Sequence, residues 1–203
     1  ERTDLQDHNL PYAKNLPGMS FLETIQQFKP TALIGATGAG GAFTKEIIEA
    51  ISSINNRPVI FALSNPTSKA ECTAEQTYTW SKGKAIFVSG SPFPNVTFEG
   101  KTFDPGQGNN AYIFPGLGLG VVAAQIEHVN DELLITAAQA LAQLVEGEDL
   151  DKGSLYPPIN EIREVSVEIA KAVMKNAISQ GLTGIKENEI EGLIKQVLYD
   201  PTY

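Results

Sequence analysis

Cysteine is nearly missing from this chain: Cys72 is the single one in 203 residues. One thiol excludes an internal disulfide and a cysteine zinc cluster, and it fits a reduced compartment such as cytosol or an organelle matrix. Histidine is almost as scarce, with His8 in a polar connection and His128 at the end of a helical stretch. No group of His, Asp and Glu shows metal-ligand spacing. No apolar run reaches the roughly 20 residues needed to cross a bilayer as a helix. Positive charge is outnumbered, 15 Lys and Arg against 24 Asp and Glu, for a net charge of −9. That balance repels nucleic acid and anionic lipid, so neither nucleic acid nor a membrane is expected as a partner. Internal repeats and low-complexity tracts are lacking too, and Glu1 is preceded by neither Met nor a targeting segment, a start that suggests a fragment. With 42% hydrophobic and 19% charged residues, the composition is that of a folded globular chain.

What is present divides in two. After a connection and a helix bearing Phe21, Leu22, Ile25 and Phe28 on one face, short apolar runs alternate with helical stretches. The runs are Thr31–Ala36, Val59–Leu63 and Ala85–Val88, each bounded by turn residues, as for strands buried on both faces. Between them, Thr44–Ile54 reads as a helix through Ile47, Ile48, Ile51 and Ile54, and Glu71–Trp80 as another. Strand, helix, strand, helix, strand predicts an α/β fold with a parallel sheet. Beyond Ser89 come Pro92, Pro94, Pro105 and a possible hairpin of Val96–Phe98 with Thr102–Phe103. From Asn109 the spacing predicts helices over about 111–127, 130–146, 159–180 and 187–199, with Gly147–Pro158 breaking the second from the third. In the third, Ile162, Val165, Ile169, Val173 and Ala177 form one apolar stripe, while Glu161, Glu164 and Glu168 pair with Arg163 and Lys171.

Three segments could carry chemistry. Gly35-Ala-Thr-Gly38-Ala-Gly40-Gly41 lies between a strand and a helix, where glycines and free N–H groups suit a pyrophosphate. It lacks the third glycine of the dinucleotide fingerprint and an acidic partner on a second strand, so a tight turn packed on the sheet is the competing reading. Ser64-Asn65-Pro66 ends the second strand at the side where parallel sheets bind ligands, which presents the Asn65 amide as donor and acceptor; a turn-capping role for Asn65 is equally open. Gly106-Gln-Gly-Asn109-Asn110 precedes a helix, and two asparagines exceed what an N-cap requires. Amides at a helix N-terminus suit a small carboxylate, so at least one of the pair reads as a binding residue. Gly116, Gly118 and Gly120 recur among Phe114, Leu117, Leu119 and Val121, a pattern of close helix packing more than of a phosphate loop.

Several longer stretches share one register with a known family. Lys29–Gly35, Phe61–Glu75 around Ser-Asn-Pro-Thr, Ser89-Gly-Ser-Pro-Phe93, Pro105–Gly116 around Gly-Gln-Gly-Asn-Asn, and Leu155-Tyr-Pro-Pro158 resemble malic enzymes from about residue 20 onward. The resemblance implies a Rossmann-like half-sheet at 1–108, helices at 109–182 that pack back on an absent catalytic domain, and a helical tail at 183–203. It implies oxidative decarboxylation of L-malate to pyruvate and CO₂ with NAD or NADP and Mg²⁺ or Mn²⁺. Position by position, Asn65, Asn109 and Asn110 correspond to substrate-contacting residues, and Gly35, Ala36, Asn65 and Asn110 to cofactor-contacting ones. The acid–base and metal-binding residues of the family precede the matched stretch, so no catalytic or metal ligand is expected here and the fragment alone is expected to be inactive.

Further expectations follow from that resemblance. The parent is a homo-oligomer, dimer or tetramer, in the cytoplasm or alternatively the mitochondrial matrix. Residues 4–14 run near the adenosine ribose in the family; with Asp4 and Asp7 acidic and Lys14 at the far end, they favour NAD over NADP, although Arg2 or Lys14 could reach a 2′-phosphate. The competing functions are a malolactic enzyme, which releases lactate, and a non-catalytic Rossmann-like assembly module.

Overall fold

The computed structural model describes residues 5–199. Arg2 and Asp4, which enter the cofactor expectation, lie outside them. In chain order the first half contains α1 (Phe21–Phe28), β1 (Ala32–Gly35), α2 (Lys45–Ile54), β2 (Val59–Ala62), α3 (Ala74–Trp80) and β3 (Ile86–Ser89), then β4 (Val96–Phe98), β5 (Lys101–Phe103) and β6 (Gly106–Gln107). The sheet order is β1-β2-β3-β6 and every pairing is parallel. The α/β expectation holds, with one addition: Gly106–Gln107 forms a fourth strand against Val88 and Ser89. Two residues, one of them glycine, carry no strand signal of their own.

Local chemistry sets the element ends. The Ser20 hydroxyl accepts the Glu23 N–H while the Glu23 carboxylate accepts the Ser20 N–H, a reciprocal cap that starts α1. Thr73 and Gln76 form the same box, so α3 starts at Ala74 and not at the expected Glu71. Glu71 and Cys72 fall outside the helix and are buried. β4 and β5 make the expected hairpin, with Glu99 and Gly100 both at positive φ, the tight turn whose twist matches the paired strands.

The second half contains α4 (Phe114–Ala123), α5 (Asp131–Gln143), α6 (Gly147–Lys152), α7 (Ile162–Ser179) and α8 (Ile190–Val197). The helix expected from residue 111 starts later, after a 3-10 turn over Asn110–Tyr112, and stops at Ala123, before the positive-φ Gln125. The expected break at 147–158 is partly helical: Gly153, in the left-handed region, ends α6 there. Glu168 and Lys171 pair at 2.8 Å as expected, but Arg163 turns away from the glutamates and donates to the Tyr199 carbonyl at 2.7 Å.

Each half has its own apolar cluster. Leu33, Ile48, Ile51, Ile60, Tyr78 and Phe87 pack between one sheet face and α2 and α3. Val165, Ile169, Val173 and Ala177 of the predicted stripe join Leu117, Leu133 and Ile194 in the other. Two of the three glycines of α4 pack closely as expected: a Cβ on Gly116 would stand 2.7 Å from that of Ile169, and one on Gly120 would stand 3.1 Å from the Ala170 carbonyl oxygen, whereas one on Gly118 would meet nothing within 4 Å. Two surfaces stay uncovered. β1 is an edge strand whose Ile34 is 69% exposed, and Phe114, Val122, Leu134 and Ile135 are exposed on the helices.

Candidate functional site

The loops that leave the carboxyl ends of β1, β2, β3 and β6 are tied to one another across the end of the sheet. The Leu63 N–H donates to the Gly35 carbonyl at 2.9 Å, the Gly90 N–H to the Ala62 carbonyl at 3.0 Å, and the Gly108 N–H to the Ser89 carbonyl at 2.8 Å. Side chains continue the series. The Ser91 hydroxyl donates to the Asn65 amide oxygen, the Ser89 hydroxyl to the Ser91 carbonyl at 2.6 Å, and the Gln107 amide to the Gly90 carbonyl at 3.3 Å.

Asn65 lies at the exposed end of β2, joined to Pro66 by a cis peptide bond. Ser91 takes its oxygen, and its amide nitrogen rests on Gly90, where a Cβ would stand 2.9 Å away. The capping alternative for Asn65 is therefore not what its oxygen does. The two asparagines after β6 divide the work differently than expected. Asn109 caps the 3-10 turn, its oxygen accepting the Ala111 N–H at 2.9 Å. The Asn110 side chain is exposed and has no hydrogen-bond partner among the described residues. Both asparagines line a cleft of about 420 Å³ with Phe61 and Leu63 of the β2 end and Ala138 and Leu141 of α5. Asn65, two residues past Leu63, stands at the same sheet edge but does not line that cleft.

The glycine loop is braced from inside the fold. The Thr37 N–H donates to the Glu71 carboxylate at 3.0 Å, the Gly38 N–H to the Ser64 hydroxyl at 2.8 Å, and the Ala39 N–H to the Thr37 hydroxyl at 3.1 Å. Three consecutive amides are thus occupied from inside, and a buried carboxylate beneath them opposes a second anion. The tight-turn reading of this loop is the one the geometry realises. Gly35 is buried because its missing Cβ makes room for Glu71, while Ala36 is exposed.

Glu71 is the residue that reading the sequence missed. Burial alone raises a carboxyl pKa, but hydrogen bonds from the Ser64 hydroxyl and the Thr37 amide outweigh it and hold Glu71 below its ordinary value. Its role arises from contacts seven and 34 residues away along the chain. The one local hint was the Thr73-x-x-Gln76 box, which excludes Glu71 from the helix. Among the described residues no group of three or more His, Cys, Asp and Glu is placed to hold a metal ion.

The family model for the malic enzyme NAD-binding domain matches residues 1–178. The chain belongs to the malic enzyme family. An NADP-dependent malic enzyme of Vitis vinifera is 49% identical over 206 residues, which take in 100% of this chain and 35% of that relative. Among solved structures, the malic enzyme of Pyrococcus horikoshii Ot3 matches with a TM-score of 0.59 and 26% identity, over 81% of this chain and 35% of that one. The Entamoeba histolytica malic enzyme shares the fold at a TM-score of 0.63 and 21% identity, over 83% and 33% of the two chains. The chain therefore spans about a third of the length of these malic enzymes.

Proposed function

We propose that the chain is the C-terminal third of a malic enzyme that converts L-malate to pyruvate and CO₂ with a nicotinamide dinucleotide and Mg²⁺ or Mn²⁺. The observation that carries this is the family match over residues 1–178, in a chain where Asn109 and Asn110 line one cleft at the carboxyl end of a parallel sheet and Asn65 follows the strand end beside it. In this reading Asn110, with its amide free, binds a malate carboxylate or the nicotinamide. Asn65 offers its amide nitrogen to substrate and cofactor, and Asn109 holds the turn that presents Asn110. Gly35 and Ala36 border the cofactor through the backbone, with its pyrophosphate seated elsewhere. The acid–base residues and the metal ligands come from the upstream part of the enzyme, which also pairs with the open edge of β1 and covers Ile34. The chain by itself is then inactive. Residues 1–108 complete the dinucleotide domain, 109–182 pack on the catalytic domain, and 183–203 form the tail.

The cofactor we assign is NADP. The acidic stretch at 4–14 argued for NAD, but a relative 49% identical across the whole chain is named NADP-dependent. We further propose a homo-oligomer, dimer or tetramer, in the cytoplasm or else the mitochondrial matrix, which sedimentation and cell fractionation test.

The deciding assay uses the full-length enzyme with malate, Mn²⁺ and either cofactor, and resolves pyruvate from lactate. Pyruvate with a higher kcat/KM for NADP is expected. Lactate would make it a malolactic enzyme, no turnover an assembly module, and a higher kcat/KM for NAD would restore the reading from residues 4–14. Asn110→Ala is expected to lower kcat/KM for malate by about 1–3 kcal/mol of transition-state stabilisation, the range for a lost hydrogen bond to a charged group. An unchanged value would reduce Asn110 to a turn residue.

A further inference from the structure

We infer that Glu71 is a positioning residue whose carboxylate couples the Gly35–Gly38 turn to the Ser64–Asn65 turn, so that the two segments facing the cofactor and the substrate move as one unit. That they face those ligands rests on the function proposed above; the coupling itself does not. Glu71 belongs to neither turn. It enters from the segment ahead of α3 and fills the space that Gly35 leaves, where a Cβ would stand 2.6 Å from its Cγ and Cδ.

Four donors converge on the carboxylate. Oε1 accepts the Thr37 N–H at 3.0 Å, the Thr37 hydroxyl at 3.0 Å and the Ser64 hydroxyl at 2.5 Å, and Oε2 accepts the Ser64 N–H at 3.3 Å. The neighbouring backbone extends the tie, since the Glu71 carbonyl accepts the Phe43 N–H at 2.9 Å and the Ala70 carbonyl accepts the Gly41 N–H at 3.1 Å. Ser64 completes a closed circuit: its hydroxyl donates to Glu71 and accepts from the Gly38 N–H.

The chemistry of burial explains why this is a coupling and not mere packing. The Glu71 residue has no exposed surface, and among the described residues no Lys or Arg pairs with it. A buried carboxylate without a cation persists only where hydrogen-bond donors replace water. Four donors to this one come from the two turns, two from Thr37 and two from Ser64, and its own backbone N–H adds to them. If either turn withdraws, the charge loses two of its donors, so each turn stabilises the other through the carboxylate. A glutamine of the same shape is a poor substitute, because in either orientation its NH₂ faces a backbone N–H, that of Ser64 or that of Thr37.

Amide hydrogen exchange on the ¹⁵N-labelled chain tests the coupling. Glu71→Gln is expected to speed exchange at Thr37, Gly38 and Ser64 by about tenfold or more, the worth of a charge-assisted hydrogen bond, with amides of α7 unchanged. Should that variant fail to fold, Ser64→Ala removes one donor and the Gly38 acceptor, and it is expected to speed exchange at Thr37 and Gly38. Glu71→Asp, which keeps the charge on a shorter arm, restores part of the protection. Wild-type exchange at Thr37 and Gly38 in a folded Glu71→Gln or Ser64→Ala variant overturns the coupling. In the full-length enzyme, Glu71→Gln is expected to raise the cofactor KM by about tenfold with a smaller change in kcat, and Glu71→Asp to recover part of it. Faster exchange with a wild-type cofactor KM would leave the coupling intact and overturn the assignment of these turns to the cofactor.

Discussion

The two halves of this molecule are held together by different means. In the sheet half the buried polar residues are Ser52, Ser64, Glu71, Thr77, Ser81 and Ser89; in the helical half, among the described residues, Ser166 stands alone. Both halves bring chain segments into close contact through bare glycines. At Gly35 the neighbour is a carboxylate tied to two loops, whereas at Gly116 it is Ile169 and the Ser166 carbonyl. Apolar contact is non-directional and fixes the spacing of helices. Hydrogen bonds to a buried charge are directional and costly to leave unmade, so they fix loops that have no regular structure of their own. The directional device lies where ligands bind in such sheets, and the non-directional one where only architecture is at stake.

A pair of glycine substitutions puts this contrast at risk, and the larger effect is expected in the sheet. Gly35→Ala places a methyl group 2.6 Å from Glu71 and 2.9 Å from Phe43. Displacing the carboxylate leaves a buried charge without its donors, a loss of about 3–5 kcal/mol by analogy with broken buried ion pairs. Gly116→Ala meets Ile169 and the Ser166 carbonyl at 2.7 and 2.8 Å. Overpacking of this kind costs about 1–3 kcal/mol, of which roughly 1 kcal/mol is returned by the better helix propensity of alanine. Urea unfolding of the two variants decides the order. A larger loss for Gly116→Ala would mean that the polar lock does not dominate the sheet half.

The sequence made most of the elements legible, because their signals are local. The strands before Gly35 and Leu63 are short apolar runs, the stripe from Val165 to Ala177 repeats at helical spacing, and Glu99-Gly100 suits a tight hairpin turn. What stayed hidden depended on distant partners. Gly106–Gln107 becomes a strand only because Val88 and Ser89 offer an edge. Residues 147–152 form a helix although glycine and the paired prolines beyond it signal a break. The site was half legible. Asn65, Asn109 and Asn110 could be placed at the sheet end from their turns, but the division of labour between Asn109 and Asn110 depends on which oxygen reaches the Ala111 N–H. For Glu71 the Thr73-x-x-Gln76 box could place the residue outside α3, but its circuit with Thr37 and Ser64 depends on partners elsewhere in the chain.

A smaller effect of opposite sign sharpens the contrast within the helical half. Gly118 lies on the same helix as Gly116, and a Cβ built on it meets nothing within 4 Å. Gly118→Ala is expected to stabilise the chain by about 0.5–1 kcal/mol, through the entropy a glycine loses on entering a helix. The same substitution two residues apart thus changes sign according to contact with α7. Loss of stability on Gly118→Ala would show that a glycine here serves more than packing.

Cys72 gives a probe of the contrast that changes no residue: it lies beside Glu71, buried, its sulfur 3.1 Å from the Thr77 hydroxyl. Burial raises its pKa to about 11, the Thr77 hydroxyl opposes the rise, and the charge of Glu71 adds to it. A raised thiol pKa means that the folded chain disfavours the thiolate. This contribution to stability is complete below the ordinary value of 9.0 and is lost as pH climbs through about 11. At pH 8 the thiolate fraction is then about a hundredfold below that of a free cysteine, before any steric protection is counted. Iodoacetamide labelling followed by mass spectrometry is expected to be slower than for a model thiol by at least that factor. Because Cys72 is the only cysteine, the label reports opening of the sheet half alone. Fast labelling at pH 8, with α7 amides still protected from exchange, would show the sheet half opening while the helical core stays closed, and the polar lock would then be the weaker of the two devices.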